Sequence, residues 1–226
     1  MSAYQYIYCA TISSQALRLK IMCASKSFSR TALLAGLLLA GCTGLSTPQG
    51  SSPNIYILDA RPTIPVSTVK HDLVLAVNMP QARPGFATAQ IAYLQQPHEL
   101  NYFISSRWAD TPARMLQPLL LHALEQSSSF RAVVQTASAI PADIRLDIEL
   151  IRLQQDFTTH PSRVQITLQA QLIDVRGKRV LAVQQFDATE NAGSEDAYGG
   201  VSAANRLVQR VLGQVTEFCL AASGRQ

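Results

Sequence analysis

Ile144-Arg-Leu-Asp-Ile-Glu-Leu150 and, after a short gap, Val164-Gln-Ile-Thr-Leu-Gln-Ala-Gln-Leu172 decide the fold. Apolar residues take every second position, and Arg145, Asp147, Glu149, Gln165, Thr167, Gln169 and Gln171 fill the positions between. A period of two sends successive side chains to opposite faces. Each stretch is therefore a strand with one dry and one wet face, as in an antiparallel sheet covered on one side. The phase slips at Leu150-Ile151, and Leu153 continues the new phase. One extra residue there predicts a bulge or bend.

Outward from this pair, Asp174-Val-Arg-Gly177-Lys reads as a turn and Arg179-Val-Leu-Ala-Val-Gln-Gln-Phe186 as the returning strand. Val201, Ala204, Val208, Val211, Val215, Phe218 and Ala222 recur at three- and four-residue steps, which predicts a long helix beginning after Gly199-Gly200. Its interior Gly213 either weakens the helix by about 1 kcal/mol against alanine or marks a close approach.

Upstream, Ile55–Leu58 and Leu73–Val77 read as short strands, and Gln90–Leu94 with Glu99–Ile104 as a hairpin around Gln96-Pro97-His98. Thr111-Pro112 supplies an N-cap and a first-turn proline for a helix carrying Met115, Leu116, Leu119, Leu120, Ala123 and Leu124. Pro118 falls inside that pattern, where it bends the helix or moves its start. The expected architecture is an α+β domain, a mostly antiparallel sheet with two main helices packed on one face, spanning residues 55–222 with 223–226 as a tail. No repeat of 20–50 residues is visible.

The chain of 226 residues and 24.6 kDa is 47% hydrophobic and 15% charged, which excludes an acidic disordered chain and a multi-pass membrane protein. Its net charge of +4 is local. Arg18, Lys20, Lys26 and Arg30 precede residue 42 with no acidic residue beside them, and the rest of the chain is neutral. A neutral domain has no net positive charge with which to displace counterions from phosphates, so nucleic acid is not an expected partner.

Residues 26–42 combine a basic flank, a short apolar run and small residues before a cysteine, the layout of a secretory signal peptide. A membrane-spanning helix needs ~20 apolar residues, about twice this run. Leu39-Ala40-Gly41-Cys42 resembles the bacterial lipobox, which implies cleavage between Gly41 and Cys42 and lipidation of Cys42. Thr43, where inner-membrane retention typically uses Asp, points by the same resemblance to the outer membrane. Residues 1–41 are thus expected to be a signal peptide, with translation starting at Met22 rather than Met1 because 1–21 form an unusually long preface. Residues 42–54, rich in Gly, Ser, Thr and Pro, read as a flexible tether with a reach of roughly 20 Å.

Residues that could carry chemistry are scattered. His71, His98, His122 and His160 stand alone, and no zinc, redox, nucleophile-elbow or phosphate-loop motif occurs. Asp147 and Glu149 share a strand face with Arg145, which fits a solvated surface better than an acid–base pair. With Cys9 and Cys23 in the leader and Cys42 lipidated, Cys219 is left on an apolar helix stripe. No cofactor, metal site or enzymatic activity is expected.

Four features together resemble the auxiliary lipoprotein component family of ABC-type transport systems. They are Leu39-Ala-Gly-Cys42 with its tether; Tyr56-Ile-Leu58; Pro84-Gly-Phe-Ala-Thr-Ala-Gln-Ile-Ala-Tyr93 leading to Arg107-Trp108-Ala-Asp110; and Ala203-Ala-Asn205 in the last helix. The family's acidic-Pro-Leu after the tryptophan reads Asp110-Thr-Pro112-Ala in this chain. The resemblance implies a periplasm-facing, outer-membrane-anchored lipoprotein. Its implied partners are an MCE-domain protein and an inner-membrane permease and ATPase, and its implied cargo is lipids or other hydrophobic compounds. A lipoprotein that assembles or pilots another outer-membrane machine by self-association, as a homo-oligomer, is the alternative; an anchored hydrolase is disfavoured for want of a nucleophile with a base. Trp108 either packs a helix start on the sheet or, with Arg107 and Tyr102, faces a partner, since tryptophan and arginine are enriched in interface hot spots.

Overall fold

The computed structural model describes residues 52–64 and 66–224. The expected signal peptide, the Gly41/Cys42 processing site and most of the tether lie outside the described residues. In chain order the elements are β1 (Asn54–Tyr56), β2 (His71–Val77), β3 (Gln81–Ala82), a 3-10 turn (Pro84–Phe86), β4 (Gln90–Leu94), β5 (Leu100–Trp108), α1 (Pro112–Gln126), β6 (Phe130–Gln135), β7 (Ile144–Asp156), β8 (Arg163–Asp174), β9 (Arg179–Asn191) and α2 (Ala197–Ser223).

The two alternating stretches form β7 and β8, paired antiparallel along their length, with β9 antiparallel on the far side of β8. The register slips between Leu150 and Arg152, so Ile151 is the extra residue that the broken phase predicts. The other edge of β7 takes β2, β3 and β4 one after another, all parallel to it. β6 adds to β2 in parallel, β5 to β4 antiparallel and β1 to β5 in parallel. The sheet is mixed, with long antiparallel ladders around β8 and short parallel ones at the fork. Parallel neighbours need crossover connections, and α1 lies on the one that runs from β2 to β6.

The dry faces of β7 and β8 meet both helices in one core, with Leu146, Leu150, Ile166, Leu168, Leu116, Leu120, Val208 and Val215 all buried. Both helices join that cluster and touch each other, so they cover the same face of the sheet.

α1 starts at the expected Thr111 cap and Pro112, and runs through Pro118. Pro118 is exposed, as is Arg114, whose carbonyl it leaves without an intrahelical donor, and the helix tolerates it. α2 begins four residues before Val201, because the Asp196 carboxylate accepts from the Gly199 N–H at 2.8 Å and caps the helix upstream of the glycines. Gly199 and Gly200 therefore lie inside the helix. A Cβ on Gly199 would strike the Ser194 backbone, and one on Gly200 the Gln155 side chain. A Cβ on Gly213 would meet nothing within 4 Å, so that glycine is not an approach point. β6 and the two-residue β3 were not foreseen, and β9 continues past Phe186 to Asn191.

Candidate functional site

Three of the four sequence features behind the resemblance meet at one corner of the domain, joined across as many as 148 positions. Tyr56 of β1 lies opposite Trp108, the last residue of β5. The Trp108 N–H donates to the Ala89 carbonyl and the Ala109 N–H to the Tyr56 carbonyl, both at 2.7 Å. The Asn205 amide clamps the chain that leaves β1: its Oδ1 accepts from the Asp59 N–H at 2.9 Å and its Nδ2 donates to the Ile57 carbonyl at 3.2 Å. One side-chain amide thereby imitates a strand neighbour, satisfying a donor and an acceptor of an otherwise unpaired segment. Leu58, Ala60 and Pro62 are buried at alternate positions as this segment continues. The Leu39–Cys42 feature lies outside the described residues.

The residues weighed as partner-facing do not form one surface. Trp108 is only 3% exposed, beside a cavity of about 10 Å³ that Ile91, Leu153, Val164 and Ala204 also line. Its partner-facing reading is corrected by this burial. It ends a strand rather than starting a helix, because Ala109–Thr111 intervene before Pro112. Arg107 points the other way and is exposed, as strand alternation requires. Tyr102 lies beyond an irregular stretch of β5, between the pairs Gln90–Arg107 and Ala92–Tyr102, and its hydroxyl donates to the Gly85 carbonyl at 3.0 Å. Tyr93 and Phe103 pack with tilted rings 4.7 Å between centroids, joined edge-on by Phe157, which sequence reasoning missed because it follows the end of β7.

The bulged part of β5 has a separate consequence. Ile104, in its middle, is 100% exposed. Ile55 and Ile57, on the outward side of the neighbouring edge segment, are 58% and 54% exposed. The corner thus carries three isoleucines and Arg107 on its outside, over a core of Tyr56, Trp108 and Leu58.

The titratable groups are engaged in structural pairs. Arg145 grips Asp147 through two bonds of 2.9 and 3.0 Å, and the hydrogen bond to Asp147 raises the pKa of its guanidinium. Glu149 pairs with Arg83 at 3.1 Å. The Asp147/Glu149 face is a set of surface ion pairs, each carboxylate held by its own arginine. Glu190 binds Arg206 and Arg210 of α2, and the Arg206 hydrogen bond is the main cause holding its pKa down. Burial pushes the Cys219 thiol far up, away from the thiolate that nucleophilic or metal chemistry requires. His122 contacts Gln126, His71 stacks on Phe130, and His160 lies 4.0 Å from Glu195. Among the described residues no group of three or more His, Cys, Asp or Glu could hold a metal ion. No described helix is long and apolar enough to cross a membrane, which leaves β-barrels unaddressed.

Among solved structures, protein XCC0632 from Xanthomonas campestris superposes with a TM-score of 0.70 at 22% identity, covering 76% of this chain and 98% of its own. The hypothetical protein CT253 from Chlamydia trachomatis superposes with a TM-score of 0.50 at 11% identity, covering 69% of this chain and 100% of its own. At these identities the likeness concerns the fold alone. No curated protein matches the chain. A family model described as "ABC-type transport auxiliary lipoprotein component" matches residues 56–216, from the corner's Tyr56 to the last turns of α2. The chain therefore belongs to the ABC-type transport auxiliary lipoprotein component family.

Proposed function

We propose that this chain is a lipid-anchored, periplasm-facing outer-membrane protein, the non-enzymatic auxiliary part of an MCE-type ABC transport system that moves lipids or other hydrophobic compounds across the envelope. The family match over residues 56–216 carries this reading, since that family is described as a transport auxiliary. The sequence Leu39-Ala-Gly-Cys42 immediately upstream supports the anchor. Signal cleavage leaves Cys42 as the new N-terminus, and its acyl chains hold the domain on the membrane. One chain alone gives a membrane association constant of only ~10⁴ M⁻¹, so persistent attachment needs the several chains of a mature lipoprotein.

In this reading the domain's part is to bind and to position. Guanidinium–carboxylate pairs neutralise the open sheet face, and the nucleotide chemistry belongs to the system's ATPase. Crosslinking in intact envelopes followed by mass spectrometry tests the partnership: recovery of an MCE-domain protein is expected, and its absence from the crosslinked products overturns the assignment. Cys42→Ala tests the anchor and is expected to leave an unprocessed or unanchored chain.

A further inference from the structure

We propose that the N-terminal corner, with Ile55, Ile57 and Ile104 outermost and Arg107 beside them, is a second membrane contact: it rests against the bilayer in which the lipid is anchored. The inference rests on the anchor reading of Cys42, and goes beyond it by fixing which side of the domain meets lipid.

Three observations lead to this occupant. The first is position. The described chain enters the fold at β1, and residues 43–53 are all that separate Asn54 from Cys42. Fully extended, eleven residues span at most about 40 Å. A domain of this size is itself about 40 Å across by the usual scaling of radius with length. A leash no longer than the body it holds keeps the attachment corner nearest the bilayer.

The second is chemistry. Ile104 is 100% exposed on a bulge of β5, and Ile55 and Ile57 are more than half exposed on the adjacent edge. Alternation presents Ile55 and Ile57 to the same side while Tyr56 and Leu58 turn inward. Ile104 precedes Arg107, the partner of Ile55, by three residues, and exposed branched apolar side chains of this kind suit insertion at the headgroup–acyl boundary. Arg107, directly opposite Ile55 in the β1–β5 pairing, places a guanidinium where lipid phosphates would lie.

The third is topology. β1 is an edge strand paired with β5 alone, so among the described residues no strand pairs with its outer edge.

The test uses the full-length mature lipoprotein, reconstituted into phosphatidylethanolamine/phosphatidylglycerol vesicles that contain a headgroup-level nitroxide lipid. Ile104→Cys carries an environment-sensitive fluorophore; Cys219 is buried and will not compete for the label. The matching control is Gln184→Cys on β9, at the opposite edge of the sheet. The expected result is a blue-shifted emission, strongly quenched by the nitroxide lipid, at position 104 and neither effect at 184. Adding Ile55→Ser and Ile57→Ser, both exposed and foldable, is expected to reduce the quenching at 104 with an unchanged circular dichroism spectrum. Equal quenching at both positions, or a blue shift at 104 without quenching, which would mean cover by protein or a second copy, overturns the inference. Mass spectrometry of the N-terminal peptide separates the two readings. An acylated Cys42 with an unquenched reporter sinks this inference alone, whereas an unacylated Cys42 sinks the anchor reading and this one with it.

Discussion

The β7–β8–β9 ribbon and the N-terminal corner are built by opposite means. In the ribbon, neighbours in space are near neighbours in sequence, joined by short turns, and a period-two pattern directs each side chain to its face. In the corner, Tyr56, Ala89, Trp108 and Asn205 come from four separate parts of the chain and are held by single bonds and one buried indole. The ribbon can absorb a local error such as the extra Ile151 without losing its register beyond it. The corner has no repetition to fall back on. A local pattern therefore makes a robust scaffold, while the corner depends on every one of its distant members.

Substitutions can break this contrast in order of size. Trp108→Ala should have the largest effect, about 3–5 kcal/mol lost in urea denaturation, because it empties the seat between β1, β5 and α2. Trp108→Phe should recover much of that loss. If Trp108→Ala were neutral, the corner would not depend on its buried indole.

Next is Asn205→Ala, which removes the bonds to Asp59 and Ile57. It is expected to cost about 1–2 kcal/mol and to raise hydrogen exchange at the Asp59 amide while leaving the β8 amides protected. Uniform exchange across both regions would mean that corner and ribbon open together.

Acid should act on the ribbon side. Glu190, bonded chiefly by Arg206 and then Arg210, has its folded pKa held below its ordinary value of about 4.3. Its contribution is therefore complete above that value and is lost as pH falls from about 4.3 through the lower folded pKa. The junction between β9 and α2 is half exposed to solvent, so the loss should be no more than about 1 kcal/mol, read as a smaller pH dependence of the urea midpoint in Glu190→Gln. The Asn205 clamp is an amide and does not titrate.

Gly213→Ala should give the smallest effect, and of opposite sign. A Cβ there meets nothing within 4 Å, so the change should stabilise by up to about 1 kcal/mol, visible as a raised melting temperature. A destabilised variant would show that the segment running past α2 needs that space.

The same contrast governs how much could be read in advance. Strands β7, β8 and most of β9, the bulge, and both helices were legible, because apolar period and phase are properties of consecutive residues. Gly199-Gly200 misled the reading of α2's start: glycine is ordinarily a helix breaker, but the Asp196 cap sets the start upstream of these two, at a place where Ser194 and Gln155 leave no room for a Cβ. β6 went unread because Phe130-Arg-Ala-Val-Val-Gln is short and lacks a clean alternation, and it is a strand through its parallel pairing with β2. Trp108 was legible as a notable residue with a packed and a partner-facing reading, and the structure decides for the packed one. Nothing in Arg107-Trp108 says which of the two faces inward until β1 is laid beside β5.

By itself the sequence determined the alternating ribbon, the amphipathic helices, the neutral charge balance from residue 42 onward and the resemblance carried by a few short motifs, since all of these reside in local order. Only the tertiary structure decided that β2, β3 and β4 share one edge of β7, that the motifs converge on a single corner, and that Ile55, Ile57 and Ile104 are left outside it. The physical reason is that contacts between distant segments are selected by the burial and hydrogen bonding of the whole chain, which no window of consecutive residues contains.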